Sequence, residues 1–233
     1  KKKIFIFVQA RMSSKRFPGK ILKKIHKLTI LDLIYLRLNR VKYHKEIVFL
    51  IPDNKKNIQL KAFMKKRNFK FFLGDEKNVL KRFFLAAKTL RSDHIIRITA
   101  DCPFIDPRLL DDMIKKYFKI RCDFLSNVYP KATYPDGLDA EIFNFKSLSK
   151  AYLNANTSYQ REHVTPYMQK NKNLKLFNFK NNKDLSNLRI TLDYKKDLIF
   201  LNKIFKKLKY NDKFSLNDII KINKKNSKFF NYG

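Results

Sequence analysis

A doubly wound α/β fold on a mostly parallel sheet is predicted by three features of this chain. Strand-length apolar runs are each followed by a helical pattern, and this alternation occurs four times in the first half. The runs are continuously apolar, as strands buried on both faces are. Each run stops abruptly in a polar loop, and open α/β sheets bind their ligands at the carboxyl ends of strands.

Ile4-Phe5-Ile6-Phe7-Val8 is the first buried strand. Residues 30–40 place apolar side chains at helical spacing and should pack on it. Residues 46–51 form the next strand. Pro52-Asp53-Asn54 then makes a turn and caps a basic helix ending near Asn68. Phe69–Phe72 is a short third strand closed by Gly74, and Asp75 caps a helix whose stripe is Leu80, Phe83, Phe84, Ala87 and Leu90. His94–Ala100 is the fourth strand, with Asp101 at its carboxyl end and Asp106-Pro107 opening the next helix.

After residue 120 the alternation loosens. Residues 122–125 and 141–145 read as strands around the turn-rich stretch from Tyr129 to Gly137, and Thr157 with Gln160 has capping-box spacing. Leu188–Leu192 reads as a late strand returning to the sheet and ending in Asp193. Residues 197–208 and 215–222 are closing helices. One domain spanning 1–233 is expected, with a core at about 1–120 and 185–233 and a smaller lobe at about 121–184.

The loop Gln9-Ala10-Arg11-Met12-Ser13-Ser14-Lys15-Arg16-Phe17-Pro18-Gly19-Lys20 carries four cations, two hydroxyls and a Pro-Gly turn. Hydroxyls and amides can donate to a polyphosphate while arginine supplies bidentate forks. The alternative is a solvated basic turn. Asp101, at the end of a neighbouring strand, can face the same ligand and take Mg²⁺, an ion held by one or two carboxylates plus phosphate oxygens. The alternative for Asp101 is a helix cap, a role assigned here to Asp106.

The 53 Lys and Arg against 20 Asp and Glu leave a net charge of +33. Such a field attracts nucleotides, nucleic acids and anionic membranes alike. The lysines are scattered, however, and no basic helix or aromatic platform points to nucleic acid. Apolar runs are too short to cross a bilayer and no signal-peptide pattern occurs, so a cytoplasmic protein without membrane insertion is expected. Cys102 and Cys122 suit neither a metal motif nor a disulfide framework, and His26, His44, His94 and His163 lack metal-ligand spacing. Neither a dinucleotide fingerprint nor a Walker A sequence is present. Among only four glycines, Gly19 and Gly137 fall in the two candidate site loops.

The loop pattern Q-A-R-x-x-S-x-R-x-P-G-K resembles the signature of the cytidylyltransferases that make CMP-activated sugar acids. The resemblance is strongest to the spore coat polysaccharide biosynthesis branch, relatives of 3-deoxy-manno-octulosonate cytidylyltransferase. It continues through Arg97-Ile98-Thr99-Ala100-Asp101-Cys102-Pro103, Tyr134-Pro135-Asp136-Gly137-Leu138-Asp139, Arg161-Glu162-His163-Val164-Thr165-Pro166-Tyr167 and Leu188-Arg189-Ile190-Thr191-Leu192-Asp193. Ala100 stands where the family often has glycine, and Lys195 where a proline commonly opens a helix.

The resemblance implies a nucleotide-diphospho-sugar transferase (GT-A-like) fold, a homodimer, and transfer of a cytidylyl group from CTP to an anionic sugar-like acceptor. It implies that Lys20, Arg11 and Arg16 hold the triphosphate, with Ala10, Ser14, Gly19, Arg82 and Arg97 also at the nucleotide. It implies Mg²⁺ on Asp101 and Asp193. Tyr134, Asp136, Gly137, Asp139, Arg161 and His163 are expected at the acceptor. An exposed helical arginine is the other reading of Arg82, and an ion pair with Glu162 the other reading of Arg161 and His163. Two rival functions are a glycosyltransferase using Asp139-Ala140-Glu141 as its metal motif and a basic nucleic-acid-binding protein.

Overall fold

The structure is a computed structural model and describes residues 2–43 and 46–225. In chain order its strands and α-helices are β1 (Ile4–Gln9), β2 (Lys24–Ile25), β3 (Leu28–Thr29), α1 (Ile30–Leu38), β4 (Glu46–Pro52), α2 (Ile58–Lys66), β5 (Phe71–Gly74), α3 (Val79–Thr89), β6 (His94–Thr99), α4 (Pro107–Ile120), β7 (Phe124–Ser126), β8 (Glu141–Asn144), α5 (Phe145–Asn154), α6 (Ser158–His163), α7 (Pro166–Lys170), β9 (Leu176–Asn178), α8 (Lys195–Lys207) and α9 (Leu216–Lys225).

Seven strands form one sheet in the order β5-β4-β1-β6-β8-β7-β9. The β1–β4, β4–β5, β1–β6 and β7–β9 pairs are parallel, whereas β8 runs antiparallel to β6 and β7. The chain steps outward from β1 to β4 and β5, then returns to place β6 on the other side of β1. That reversal makes the carboxyl ends of β1 and β6 a topological switch point.

Period-2 alternation divides the strand residues between two cores. Ile6, Val8, Ile96 and Ile98 pack with Leu31, Met113, Leu201 and Phe205 from α1, α4 and α8. Phe5, Phe7, Ile95 and Phe143 face the other way and meet Phe83, Leu148, Ala151 and Met168 from α3, α5 and α7. Both faces are thereby covered, which is why the central runs are apolar throughout.

Side-chain caps start several helices. Thr29 and Asp32 form a reciprocal box on α1, with Asp32 N–H donating to Thr29 Oγ1 at 3.1 Å and Thr29 N–H to Asp32 Oδ2 at 3.2 Å. Thr157 and Gln160 do the same on α6. Asp106 accepts from Arg108 N–H at 2.9 Å and, through its other oxygen, from Leu216 N–H at 2.7 Å, which ties α4 to α9. Arg37, fully buried, donates to the carbonyls of Phe104, Ile105, Asp212 and Phe214 and stacks on the Phe214 ring at 3.7 Å. Burial pulls its guanidinium down to about 9.

Several expectations are corrected. Residues 188–192 are extended but are not a strand of the sheet, because β6 is already flanked by β1 and β8. They cross the sheet's carboxyl edge, with Leu192 N–H donating to Asp101 O at 2.8 Å and Ile190 N–H to Asp136 O at 2.7 Å. Leu188, Ile190 and Leu192 are still buried, so the apolar alternation reflects burial without sheet pairing. The third strand lies two residues later than expected, at 71–74. The cap of α3 is Asn78, which accepts from Lys81 N–H, while Asp75 closes the preceding turn by accepting from Lys77 and Asn78. A 3-10 turn at Lys55–Asn57 delays α2 past the expected cap. Segment 121–184 contributes β7, β8 and β9 to the seven-stranded sheet.

Candidate active site

The loop after β1 is folded on its own backbone. Met12 O accepts from Ser14 N–H at 2.9 Å and from Gly19 N–H at 3.0 Å, and Phe17 N–H donates to Ser14 Oγ at 3.3 Å. Gly19 closes this loop at φ +68°, a left-handed conformation that glycine adopts without strain. A polar ring braces the loop from outside. Met12 N–H donates to Asn57 Oδ1, the Asn57 amide donates to Asn54, and Glu76 accepts from Asn54 and from the Ser13 hydroxyl. Turns following β1, β4 and β5 are thus fixed to one another.

Beneath the loop is a cleft of about 370 Å³, lined by Gln9, Arg11, Ser14, Arg16, Lys20, Thr99, Ala100, Asp101 and Asp193 among others. At its floor Lys20, only 8% exposed, donates from Nζ to Asp101 Oδ2 at 3.2 Å, Asp193 Oδ1 at 3.1 Å and Leu192 O at 2.6 Å. Arg16 Nη2 reaches Asp193 Oδ1 at 2.5 Å and its guanidinium lies over Tyr194, 5.1 Å from the ring centroid. Burial pushes the Asp101 carboxyl up, but the Lys20 ammonium and the Thr99 hydroxyl more than offset it, so the carboxyl sits below its usual range. Ala100 donates its N–H to Gln9 O at 3.0 Å, joining the two strand ends that frame the cleft.

Arg82 is buried on α3 and only its Nη1 has a partner, the carbonyl of Asp75 at 2.8 Å. Nε and Nη2 are buried without one. Burial and the nearby charge of Arg11 pull its guanidinium down to about 10. Arg11 itself pairs with Glu162 at 3.5 Å. Two guanidiniums of like charge, one with idle donors, make a strongly anion-seeking corner beside the loop.

Other expected residues are placed differently. Arg97 is committed within the sheet, donating to Glu141 Oε2 at 2.6 Å and Gln9 Oε1 at 3.2 Å, and is not among the residues lining the cleft. Arg161 donates to Ala155 O at 3.3 Å, while the His163 ring packs 4.5 Å from Tyr159. Both are exposed, and it is Arg11 that pairs with Glu162. Tyr134 stacks on Phe179 and is not among the residues lining the cleft, and its hydroxyl is pushed up to about 12 by burial and by Asp112 and Asp106. His44 lies outside the described residues.

The loop 134–139 does reach the site's edge. Gly137, at φ +108°, lies so close to the 188–192 segment that an added Cβ would sit 2.6 Å from Ile190 C and Thr191 N. Asp136 pairs with Arg189 at 3.3 Å. Burial together with the charges of Asp136 and Asp101 drives the Asp139 carboxyl up to about 7. The neighbouring Cys102 is buried and its thiol raised well above the usual range by burial and by the Asp101 and Asp139 charges, which makes it a poor nucleophile. Arg189, which sequence reasoning missed, pairs with Asp136, Asp193 and Asp197. Its signals were its place in the block Leu188–Asp193 and the spacing of four and eight residues to those last two aspartates.

Among the described residues no group of three or more His, Cys, Asp and Glu side chains is placed to hold a metal. Asp101 and Asp193 nevertheless share one cation already, the Lys20 ammonium. A carboxylate pair lining the cleft is a donor set that fits Mg²⁺, which usually takes one or two carboxylates plus substrate phosphates. Among the described residues no helix is long and apolar enough to cross a membrane.

The pattern of the cytidylyltransferase family matches residues 5–231. An uncharacterized protein of Methanocaldococcus jannaschii is 35% identical over 198 residues, covering 84% of this chain and 80% of its own length. The spore coat polysaccharide biosynthesis protein SpsF of Bacillus subtilis is 30% identical over 216 residues, covering 88% and 87%. Among solved structures, a cytidylyltransferase from Leptospira borgpetersenii has a TM-score of 0.93 and 33% identity, covering 100% of this chain and 98% of that one. CMP:2-keto-3-deoxy-manno-octonic acid synthetase complexed with CTP has a TM-score of 0.67 at 16% identity over 89% of this chain and 100% of that one, a likeness of fold. With a family pattern running over nearly its whole length and close relatives on both counts, the chain belongs to the cytidylyltransferase family.

Proposed function

We propose that the protein transfers a cytidylyl group from CTP to an anionic, sugar-like acceptor and releases pyrophosphate. The observation that carries this reading is the Lys20 ammonium held between Asp101 and Asp193 directly beneath the cationic loop. An acceptor hydroxyl oxygen attacks the α-phosphorus and its proton passes to solvent, the bond from that phosphorus to the bridging oxygen breaks, and the electron pair leaves with pyrophosphate. Negative charge grows on the leaving oxygens, so cations fixed in advance lower the barrier.

In this reading Lys20, Arg16 and Arg11 bind and orient the triphosphate, Ser14 has a hydroxyl proton free to donate to it, and Arg82 gives its idle donors to the nucleotide. Asp101 and Asp193 would hold Mg²⁺, which when bound neutralises phosphate charge and lowers the proton affinity of an acceptor hydroxyl. The loop around Asp136, Gly137 and Asp139 faces the acceptor. The likeness to a spore coat polysaccharide biosynthesis protein favours a sugar acid destined for a surface polysaccharide.

The glycosyltransferase alternative needs Asp139 and Glu141 to act as a metal pair. Glu141 is instead buried and held by Arg97, Thr165 at 3.0 Å and Gln169 at 3.2 Å, which disfavours it. The proposal is tested by following pyrophosphate release from CTP with Mg²⁺ over a panel of sugar acids, sugar phosphates and phosphonates. Lys20→Ala is expected to lower turnover by about 10²- to 10³-fold. Unchanged turnover in that variant would remove the loop from the chemistry, and turnover of a nucleotide sugar without CTP would favour the glycosyltransferase.

A further inference from the structure

Arg189 sits where three carboxylates converge, and each of its three guanidinium nitrogens has one. Nε lies 3.3 Å from Asp136 Oδ2, Nη2 2.9 Å from Asp193 Oδ2 and Nη1 2.8 Å from Asp197 Oδ1. The three acids do different jobs. Asp197, 2% exposed, opens α8 by accepting from Asp193 N–H at 2.7 Å and Tyr194 N–H at 2.8 Å through its Oδ2. Asp193 turns its other oxygen, Oδ1, to Lys20 and Arg16 in the cleft. Asp136 belongs to the loop on the acceptor side, and its backbone is bonded to both neighbours of Arg189, donating to Leu188 O at 2.9 Å and accepting from Ile190 N–H at 2.7 Å.

A carboxylate with one oxygen clamped has one direction left in which to present the other. We infer that Arg189 is a positioning residue for the cation and nucleotide: it fixes Asp193 Oδ2 against the buried Asp197, so that Oδ1 points into the cleft, and it links this carboxylate to the acceptor loop through Asp136. The inference rests on the proposed function, since it takes Asp193 to be a cation ligand. Lysine cannot replace the clamp fully, because a single ammonium lacks the planar fork that spans three acids. Outer-shell partners that orient a ligand typically matter by 10- to 100-fold in metal affinity or activity.

The test is calorimetric titration of Mn²⁺, as the probe cation, into protein saturated with CTP, with thermal midpoints recorded in parallel. Arg189→Ala is expected to weaken Mn²⁺ binding on the order of 10- to 100-fold, with Arg189→Lys falling between it and the unaltered protein. Arg189→Gln, which keeps polar shape without charge, serves where the alanine variant does not fold and is expected to weaken binding as well. A folded Arg189→Ala or Arg189→Gln protein with unaltered Mn²⁺ affinity overturns the inference while leaving the proposed function standing. Failure of the unaltered protein to bind Mn²⁺ with CTP at all overturns the proposed function, and this inference with it.

Discussion

Lys20 and Asp193 are 173 positions apart in sequence, yet their charged atoms lie 3.1 Å apart at the floor of the cleft. The same ammonium touches Asp101 at 3.2 Å, so a lysine of the loop after β1 closes a triangle with two carboxylates from different parts of the chain. The cation between these acids is the protein's own ammonium.

A divalent ion and the Lys20 ammonium compete for the same oxygens. Lys20→Met is therefore expected to bind Mn²⁺ several-fold more tightly than the unaltered protein when nucleotide is absent. It is also expected to lose about 1–3 kcal/mol of stability at neutral pH, because Asp101 is left without its partner. Calorimetry and thermal unfolding read the two effects. Weaker Mn²⁺ binding in the variant would show that the ammonium does not occupy the cation's place.

Arg82 has two buried donor atoms with nothing to bond. If they serve the nucleotide, Arg82→Met should weaken CTP binding by roughly 10- to 100-fold, equivalent to one or two charge-assisted hydrogen bonds. Stability should change little or rise, since a poorly satisfied buried charge is removed. A marked drop in thermal midpoint with unchanged CTP affinity would make Arg82 purely structural.

Asp139 sets a pH dependence whose sign follows from its raised carboxyl. The folded group titrates at about 7 and the unfolded one at 3.8. As pH rises between these values the unfolded chain releases a proton that the folded protein keeps, so unfolding becomes easier, and the loss is complete above pH 7 or so. Asp139→Asn, in metal-free buffer, is expected to be more stable than the unaltered protein at pH 8 by on the order of 2 kcal/mol, with the two converging near pH 4. A difference independent of pH would show that Asp139 is not protonated in the fold.

Gly137→Ala meets backbone, not a yielding side chain, because its Cβ would lie 2.6 Å from Ile190 C and Thr191 N at φ +108°. A stability loss of about 2–4 kcal/mol is expected. At Gly74 the nearest obstacle is Arg82 Cγ at 2.9 Å, so Gly74→Ala should cost less in stability and act mainly by displacing Arg82, which weakens CTP binding. Paired denaturation and CTP titrations of the two variants separate these effects.

The parallel core was legible because burial on both faces leaves uninterrupted apolar runs such as 4–8 and 46–51, and the helices because their stripes fit one face. Residues 188–192 misled because an extended segment whose apolar side chains enter a core alternates like a strand whether or not it pairs. At the site, the loop 9–20 and Asp101 were legible from their position after strands. Arg97 was not, since its partner Glu141 comes from an antiparallel neighbour 44 residues away that only the sheet register reveals. Arg189 was hidden for a similar reason. Two of its acids, Asp193 and Asp197, are close in sequence, but the third, Asp136, comes beside it only through the chain crossing. Arg161 and His163 occupy a well-capped, exposed helix, and capping says nothing about which way a short helix points.

The most direct test is calorimetric titration with CTP, UTP, ATP and GTP, with and without Mg²⁺, at a salt concentration high enough to screen the diffuse positive field. Selective, Mg²⁺-dependent binding of CTP that is lost in Lys20→Ala is the expected result. Indifferent binding of all four nucleotides that disappears with salt, or CTP binding that survives loss of Lys20, would contradict the account.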